Sequence, residues 1–341
     1  MKKETREKFN RLVLQGLAAG YGVKDVSEQF SIEASITQTL NDKIVEQSTF
    51  LPQINIVPVD ELKGENILGY ASSPVTSRTD TSGDDERKPK DVLGLEKYEY
   101  ELKKTDTDTL IRYITIDSWA KFPDMADRYG RYVRERAAAD RELIGWYGTR
   151  AAATTDLAAN PLLQDVNKGW LQYMRDNRRE NILTEGNISG KIRIGQGGDF
   201  SCLDVLINDL VEGIPYYLQK DLVALVGRDF IVREKAILFE AVQGVPTEKK
   251  AMESFVSKFG GYPWQTPSFF PARGLVITSL KNLSIYHQDS SWRRAIEDNP
   301  RKDQYEDYMS RNEGYVVEVP EAFVALEFAN VELRNEKGEW A

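Results

Sequence analysis

Residues 62–108 limit what this chain can become. Residues 64–70 have the make-up of one strand, and Tyr98, Tyr100 and Leu102 alternate with Glu99 and Glu101 as a second strand with one apolar face. Between them, residues 72–91 are a polar tip rich in Ser, Thr, Asp and Gly, with Asp84, Asp85, Glu86, Arg87 and Lys88 ahead of Pro89. A two-stranded ribbon with a solvated tip is marginal in water by itself. A chain that carries one needs support from outside the ribbon, and a neighbouring subunit is the natural source.

Composition narrows the chemistry. A single Cys (Cys202) rules out an intrachain disulfide, and with a single His (His287) neither a Cys/His zinc cluster nor an HExxH helix can be built. No cofactor or metal is expected. At 41% hydrophobic, 341 residues can bury the cores of about two domains. The balance of 45 Lys+Arg against 54 Asp+Glu gives a net charge of -9, which argues against a free-standing nucleic-acid binder. No apolar run reaches the ~18 residues of a membrane span. The charged opening, Lys2 to Lys8, has no apolar stretch behind it, so no signal peptide and no membrane role are expected.

The first thirty residues read as a separate unit. Phe9, Leu12, Val13 and Leu17 recur at helical spacing, and Gly20 with Gly22 ends the pattern. Six basic and four acidic residues give this unit a net +2, so its loss would take the chain from -9 to -11. It is either an arm that docks on a partner or a frayed terminus. Residues 31–62 read as an extended arm, with Ile54, Ile56 and Val57 between Pro52 and Pro58 as an edge strand. Residues 110–116 read as a strand. Residues 117–150 hold the longest helical pattern, capped by Asp117 and interrupted near Pro123, long enough to act as a spine. Asn160-Pro161 predicts the start of another helix, with Leu163, Val166, Trp170 and Met174 on its apolar face.

Residues 201–280 read as a compact α/β region. Ser201 with Asp204 forms a capping-box variant before Leu206, Ile207, Leu210 and Val211, and Gly213 stops that helix. The run 222–226 predicts a buried strand, and 230–241 a helix. Residues 275–280 and 283–287 read as strands, and after a polar stretch so do 315–319 and 323–333. There is no internal repeat.

None of the chemical candidates assembles into a site. His287 has no convergent partners and is expected to be a surface or interface residue. Cys202 at a helix start reads as a small buried hydrophobe rather than a nucleophile. Gly195-Gln196-Gly197-Gly198 lacks the strand, spacing and Lys of a phosphate loop and reads as a hinge. The acidic tip at Asp84, Asp85 and Glu86 has no apolar pocket to raise a carboxyl pKa. With Arg87 and Lys88 it is a candidate for intersubunit salt bridges, as are Trp292, Arg293 and Arg294 for subunit contacts. Those three and the spot at Arg178-Arg179 are too sparse for a nucleic-acid channel. Arm, ribbon and spine together point to assembly, in which stability is gained across interfaces.

Segments spread along nearly the whole chain form an ordered series. They include Glu4-Thr5-Arg6 with Phe9-Asn10, Thr37-Gln38-Thr39-Leu40, Ile54-Asn55-Ile56-Val57-Pro58-Val59 and Thr79-Asp80-Thr81. The longest is Asn160-Pro161-Leu162-Leu163-Gln164-Asp165-Val166, followed by Gly169-Trp170-Leu171-Gln172. Val226-Gly227-Arg228, Phe270-Pro271-Ala272, Asn282-Leu283-Ser284-Ile285-Tyr286 and Tyr315-Val316-Val317-Glu318 continue the series. In order and coverage these segments resemble the major capsid proteins of P2-like tailed bacteriophages.

The resemblance implies an α+β fold of the HK97 capsid type. Its parts would be an N-terminal scaffold-interacting segment removed on maturation (1–30), an N-terminal arm (31–61) and an extended β-hairpin loop (62–108). A peripheral domain with the spine helix (109–199) and an axial domain (200–280) would follow, with residues 281–341 completing both. It further implies pentamers and hexamers in an icosahedral shell, T=7 in the usual geometry, assembled in the host bacterial cytoplasm. The implied partners are other copies of the chain, a scaffold that carries the maturation protease, a portal protein, and packaged double-stranded DNA by weak non-specific contact. The family's cleavage position falls near Phe30 and Ser31. The chain ends soon after Leu333, short of relatives with a longer tail. No catalytic residue and no lysine–asparagine cross-link are expected. A non-viral nanocompartment shell shares the fold, and an α/β enzyme is the alternative of another class.

Overall fold

The computed structural model describes residues 1–71, 78, 93–119, 121–122, 124–241, 258–289, 291–334 and 339–340. Most of the acidic tip, with Asp84, Asp85, Glu86, Arg87 and Lys88, and the predicted kink at Pro123 lie outside the described residues. Two compact units are present: Lys63–Glu101, and a body made of Met1–Leu62 with Leu102–Ala341. The smaller unit is an antiparallel ribbon, as its alternation predicts, with Lys63 opposite Glu101 at one end and Ala71 opposite Leu93 at the other.

The body opens with α1 (Lys3–Phe9), a π-helical turn over Asn10–Leu14, and α2 (Gln15–Tyr21). Gly22 stops α2 in the left-handed region at φ 67, and its N–H caps the carbonyls of Ala18 and Ala19. Strand β1 (Phe30–Ser31) follows, and then α3 (Ala34–Val45). The expectation of an extended arm through residue 62 is therefore corrected. Ile36, Leu40 and Ile44 recur every four residues, and the stripe is narrow because polar residues fill the intervening turns. β2 (Asn55–Val59) is the predicted edge strand, at one end of its sheet where Pro58 is tolerated. The ribbon supplies β3 (Lys63–Ala71) and β4 (Leu93–Glu101).

Strands β5 (Lys103–Asp106) and β6 (Thr109–Arg112) lead into α4 (Tyr113–Trp119) and α5 (Met125–Tyr147). Two expectations change here. The strand predicted over 110–116 ends at Arg112, and Asp117 lies inside α4 rather than capping the spine. The spine itself is α5, whose 23 residues span about 35 Å. Its last turn is set by a close approach: a Cβ at Gly145 would meet the Trp170 ring at 2.2 Å. The next helix, α6, begins at Trp170 and ends at Asn177, not at Asn160. Residues 156–165 are tied into a loop instead. The Asp165 carboxylate accepts from the Asp156 N–H at 2.8 Å and from Asn160 Nδ2 at 3.0 Å, and Leu163 turns at φ 59.

The remaining elements are β7 (Ile182–Leu183), β8 (Ile192–Ile194), α7 (Leu203–Glu212), β9 (Leu222–Val226), α8 (Arg228–Ala241), β10 (Lys258–Phe259), β11 (Tyr262–Gln265) and β12 (Leu275–Ser279). Then come β13 (Leu283–Gln288), β14 (Arg293–Asn299), β15 (Gln304–Val317), β16 (Phe323–Leu326) and β17 (Val331–Leu333). The capping box at Ser201 is not formed. Cys202 takes the cap position without a side-chain bond, and Asp204 accepts the Gly260 N–H instead.

Two sheets organise the body. A six-stranded sheet, β10-β11-β9-β12-β16-β7, packs against α7 around an aliphatic core that includes Leu203, Leu206, Ile207, Ala224 and Ile277. A seven-stranded sheet runs β1-β14-β15-β13-β2, with β5 and β6 also paired to the long β15. The hairpin of β14 and β15 falls in the stretch that reads as merely polar. Its interior positions, Asp307, Met309, Arg311, Glu313 and Tyr315, alternate with period two, but three of the five are charged.

Candidate functional site: the N-terminal segment and strand β1

The N-terminal segment is not frayed but docks on the body of its own chain. Phe9 and Val13 lie four residues apart and enter a cluster with Ile111, Ile116, Met125, Ile296 and Tyr305, which Val26 joins from further along the segment. The Phe9 and Tyr305 rings lie 4.6 Å apart. Polar contacts border the cluster. Arg6 pairs with Asp298 at 3.4 Å and lies 5.6 Å over the Tyr113 ring. The backbone N–H of Lys2 donates to Asp117 at 3.2 Å, and Lys8 Nζ donates to the Phe122 carbonyl at 3.2 Å. Burial, and the Asp298 carboxylate to which the Tyr113 hydroxyl donates, push that phenol up to about 12.

Arg294 closes the end of the segment. Its Nε donates to Asp307 Oδ1 at 2.9 Å and its Nη2 to Oδ2 at 2.6 Å, a bidentate pair. Its Nη1 donates to the Tyr21 hydroxyl at 2.7 Å, and the guanidinium lies 5.5 Å over the Tyr21 ring. Burial works against the Arg294 charge, but Asp307 and then Tyr21 outweigh it and raise the pKa above the ordinary arginine value. The backbone of Arg294 pairs with Phe30 and that of Arg293 with Ser31. On either side, the Ile296 N–H donates to the Val26 carbonyl at 2.7 Å and the Ile32 N–H to the Trp292 carbonyl at 2.9 Å. Val26 and residues 30–32 thus bond to or pair with β14 and its approach.

Further along β15 is a buried ion cluster. Glu313 accepts from Arg141 Nε at 2.8 Å and from Arg311 Nε. Arg141 Nη1 reaches Asn41 on α3 at 2.7 Å, Arg311 Nη1 reaches Thr107 at 2.9 Å, and Asn167 Nδ2 donates to the Glu313 carbonyl at 2.8 Å. Burial would raise the Glu313 carboxyl, but Arg141 and Arg311 prevail and hold it at about 2. The cluster fastens α3, α5, β15 and the approach to α6 at one point.

Other residues singled out in the sequence fall apart in space. His287 is 3% exposed inside β13, not a surface residue, and burial followed by the charge of Arg141 lowers its pKa. Trp292 is fully buried, with the Arg311 guanidinium 5.3 Å over its ring, and Arg294 is 8% exposed. Both side chains are turned inside, which leaves Arg293 as the exposed member of that trio. Cys202 is half-buried. Gly195 and Gly197 have positive φ in a turn. Among the described residues no group of three or more His, Cys, Asp or Glu is placed to hold a metal ion, and no helix is long and apolar enough to cross a membrane.

A spine helix, a two-stranded ribbon and two sheets sharing one body make an α+β chain that matches the HK97-type capsid architecture. The chain matches the description "Phage major capsid protein, P2 family" over residues 8–328 and belongs to that family. It is 39% identical over 334 residues to "Capsid proteins" of Escherichia phage P2, covering 93% of this chain and 92% of that one. It is 28% identical over 329 residues to the "Major capsid protein" of Serratia phage KSP20, covering 93% and 94%. A chain of the solved "Satellite phage P4 procapsid including size determination (Sid) protein" superposes with a TM-score of 0.77 at 36% identity, over 98% of this chain and 99% of that one.

Proposed function

We propose that this capsid protein builds the icosahedral shell that encloses a tailed phage's double-stranded DNA, as pentamers and hexamers in a T=7 arrangement. The observation that carries the reading is the end-to-end match to a procapsid chain at 36% identity. An internal scaffold bearing the maturation protease guides assembly in the host cytoplasm, and the portal protein occupies one vertex. The protease removes residues 1–30 by cutting near Phe30 and Ser31. The mature chain then keeps the arm (31–61), the loop (62–108), the peripheral domain (109–199), the axial domain (200–280) and the return elements (281–341). Intersubunit contacts fall to the tip residues Asp84, Asp85, Glu86, Arg87 and Lys88 and to the exposed Arg293. Loss of a net +2 with the segment weakens attachment of an inward-facing wall to DNA, since phosphate contacts dominate such binding.

The experiment is co-expression with the scaffold protease, followed by electron microscopy and the intact mass of the shell subunit. Closed shells whose subunit begins near residue 31 are expected; full-length subunits in matured shells would refute the cleavage. A chain lacking residues 72–91 should give soluble capsomers without closed shells, and intact shells from it would remove the role assigned to the loop. A chain beginning at Ser31 should fail to form scaffold-dependent procapsids; normal procapsids would remove the segment's part in engaging scaffold.

A further inference from the structure

We propose that the N-terminal segment is a latch that guards its own removal. While it is docked, the cleavage strand cannot enter a protease, and the clasp between Tyr21 and Arg294 sets how readily it opens. The inference rests on cleavage near Phe30 and Ser31 and adds how that cleavage is controlled.

A protease binds its substrate as an extended chain and takes up the backbone N–H and C=O groups on both sides of the scissile bond. Here one side of that backbone is already taken by β14. Phe30 and Ser31 pair with Arg294 and Arg293, and Val26 and Ile32 bond to Ile296 and Trp292. Hydrolysis adds one water across the Phe30–Ser31 peptide bond and leaves a carboxylate on Phe30 and an amino group on Ser31. It cannot begin until residues 26–32 leave β14.

The docking is built to release locally. It is firm at two places, the Phe9 and Val13 cluster and the Tyr21 clasp. Between them α2 has no buried residue. A groove of about 420 Å³ separates α2 from α3 and α5, and the Cβ positions of Gly16 and Gly20 meet nothing within 4 Å. Leu17 and Ala18 touch the cluster only as half-buried residues, and an element held firmly at its ends and lightly in the middle opens without unfolding the body. Arg294 serves as the fixed half of the clasp. Its bidentate pair with Asp307 stays in place when Tyr21 leaves, and its backbone pairs with Phe30, so side-chain release and strand release occur at one residue.

The test uses the full chain, the maturation protease encoded with it, and intact mass to follow the cut. A peptide of residues 24–37 supplies the undocked strand, and Ile207→Ala, in the aliphatic core, controls for general loss of stability. When opening is fast, proteolysis follows the open population, so the wild type should be cut at least about tenfold more slowly than the peptide. Tyr21→Phe should speed cleavage by about tenfold through loss of one charge-assisted bond, and Phe9→Ala by more, with Ile207→Ala close to wild type. Equal rates for the wild type, Tyr21→Phe and Phe9→Ala would overturn the latch. A peptide left uncut near residue 30 would instead overturn the cleavage assignment. Hydrogen exchange reads the latch without any protease. The Ile296 and Ile32 amides should be protected in the wild type and should exchange faster in Phe9→Ala, while β15 amides keep their protection. Exchange at Ile296 as fast in the wild type as in Phe9→Ala would also overturn the proposal.

Discussion

The two sheets of the body are held together by different forces. Around the six-stranded sheet the buried side chains are almost all aliphatic or aromatic, from Leu203, Leu206 and Ile207 on α7 to Ile277 and Val324 on the strands. Around the seven-stranded sheet the interior holds Arg141, Arg311, Glu313, Arg294, Asp307 and His287. Burial of apolar surface is non-directional and tolerates small shifts. A buried charge is tolerated only with its partners in place. The first sheet is thus a generic core. The second adds specific pairs to apolar residues such as Ile285, Ile296 and Val317, and it is the second that carries the N-terminal segment and β1.

Glu313→Gln should have the largest effect. It leaves Arg141 and Arg311 without their carboxylate, and removing one partner of a buried pair costs about 3–5 kcal/mol. Denaturant unfolding checks this, and a loss below about 1 kcal/mol would show that the cluster is not the fastening it is taken to be. Leu206→Ala, in the aliphatic core, should cost about 2–5 kcal/mol by leaving a cavity.

pH then separates the two regions. The Glu313 pKa is lowered from 4.5 to about 2 on folding, so its contribution is complete above 4.5 and is lost as pH falls toward 2. The cost of Leu206→Ala should not change with pH. A smaller effect lies nearer neutrality. The His287 pKa is lowered from 6.5 by burial, so the folded state resists its protonation and stability should fall as pH drops below 6.5. The charged groups facing it are Arg141, Glu313, Asp289 and Arg311. His287→Gln should flatten that part of the thermal-melting profile, and an unchanged slope would assign it to another group. The smallest effect is expected at an exposed pair. Lys104 and Asp106 lie 2.9 Å apart, but both are largely solvated, so Lys104→Ala should change stability by at most about 0.5 kcal/mol.

The same division governs what could be read from the chain. β9 was legible because 222–226 is an unbroken apolar run, and the ribbon because Tyr98 and Tyr100 alternate with glutamates. The α7 helix and its stop at Gly213 were legible from apolar spacing, although its cap was not. The β14–β15 hairpin escaped because Asp307, Arg311 and Glu313 fill interior positions and hide the alternation. α3 escaped because Ile36, Leu40 and Ile44 make a narrow stripe, and its buried Asn41 looks like a surface residue until Arg141 is seen to bond it. At the site, Phe30 and Ser31 came from family resemblance. Trp292, Arg293 and Arg294 were noticed as a basic spot, but their directions were unreadable because alternate residues of a strand face opposite sides.

By itself the sequence determined the class of protein: one Cys and one His leave little catalytic or metal chemistry, and matching segments along most of the chain give the family and the HK97-type fold. It also determined that residues 1–30 carry an amphipathic pattern and a net +2. Only the tertiary structure decided where that pattern goes. Phe9, Val13 and Val26 close over Ile111, Ile116 and Ile296, and Tyr21 meets Arg294, residues far apart in the chain. Local spacing fixes which face of a helix is apolar, because that depends on neighbours three and four residues away. It does not fix which surface covers that face, because that depends on contacts between distant segments that exist only after the body has folded.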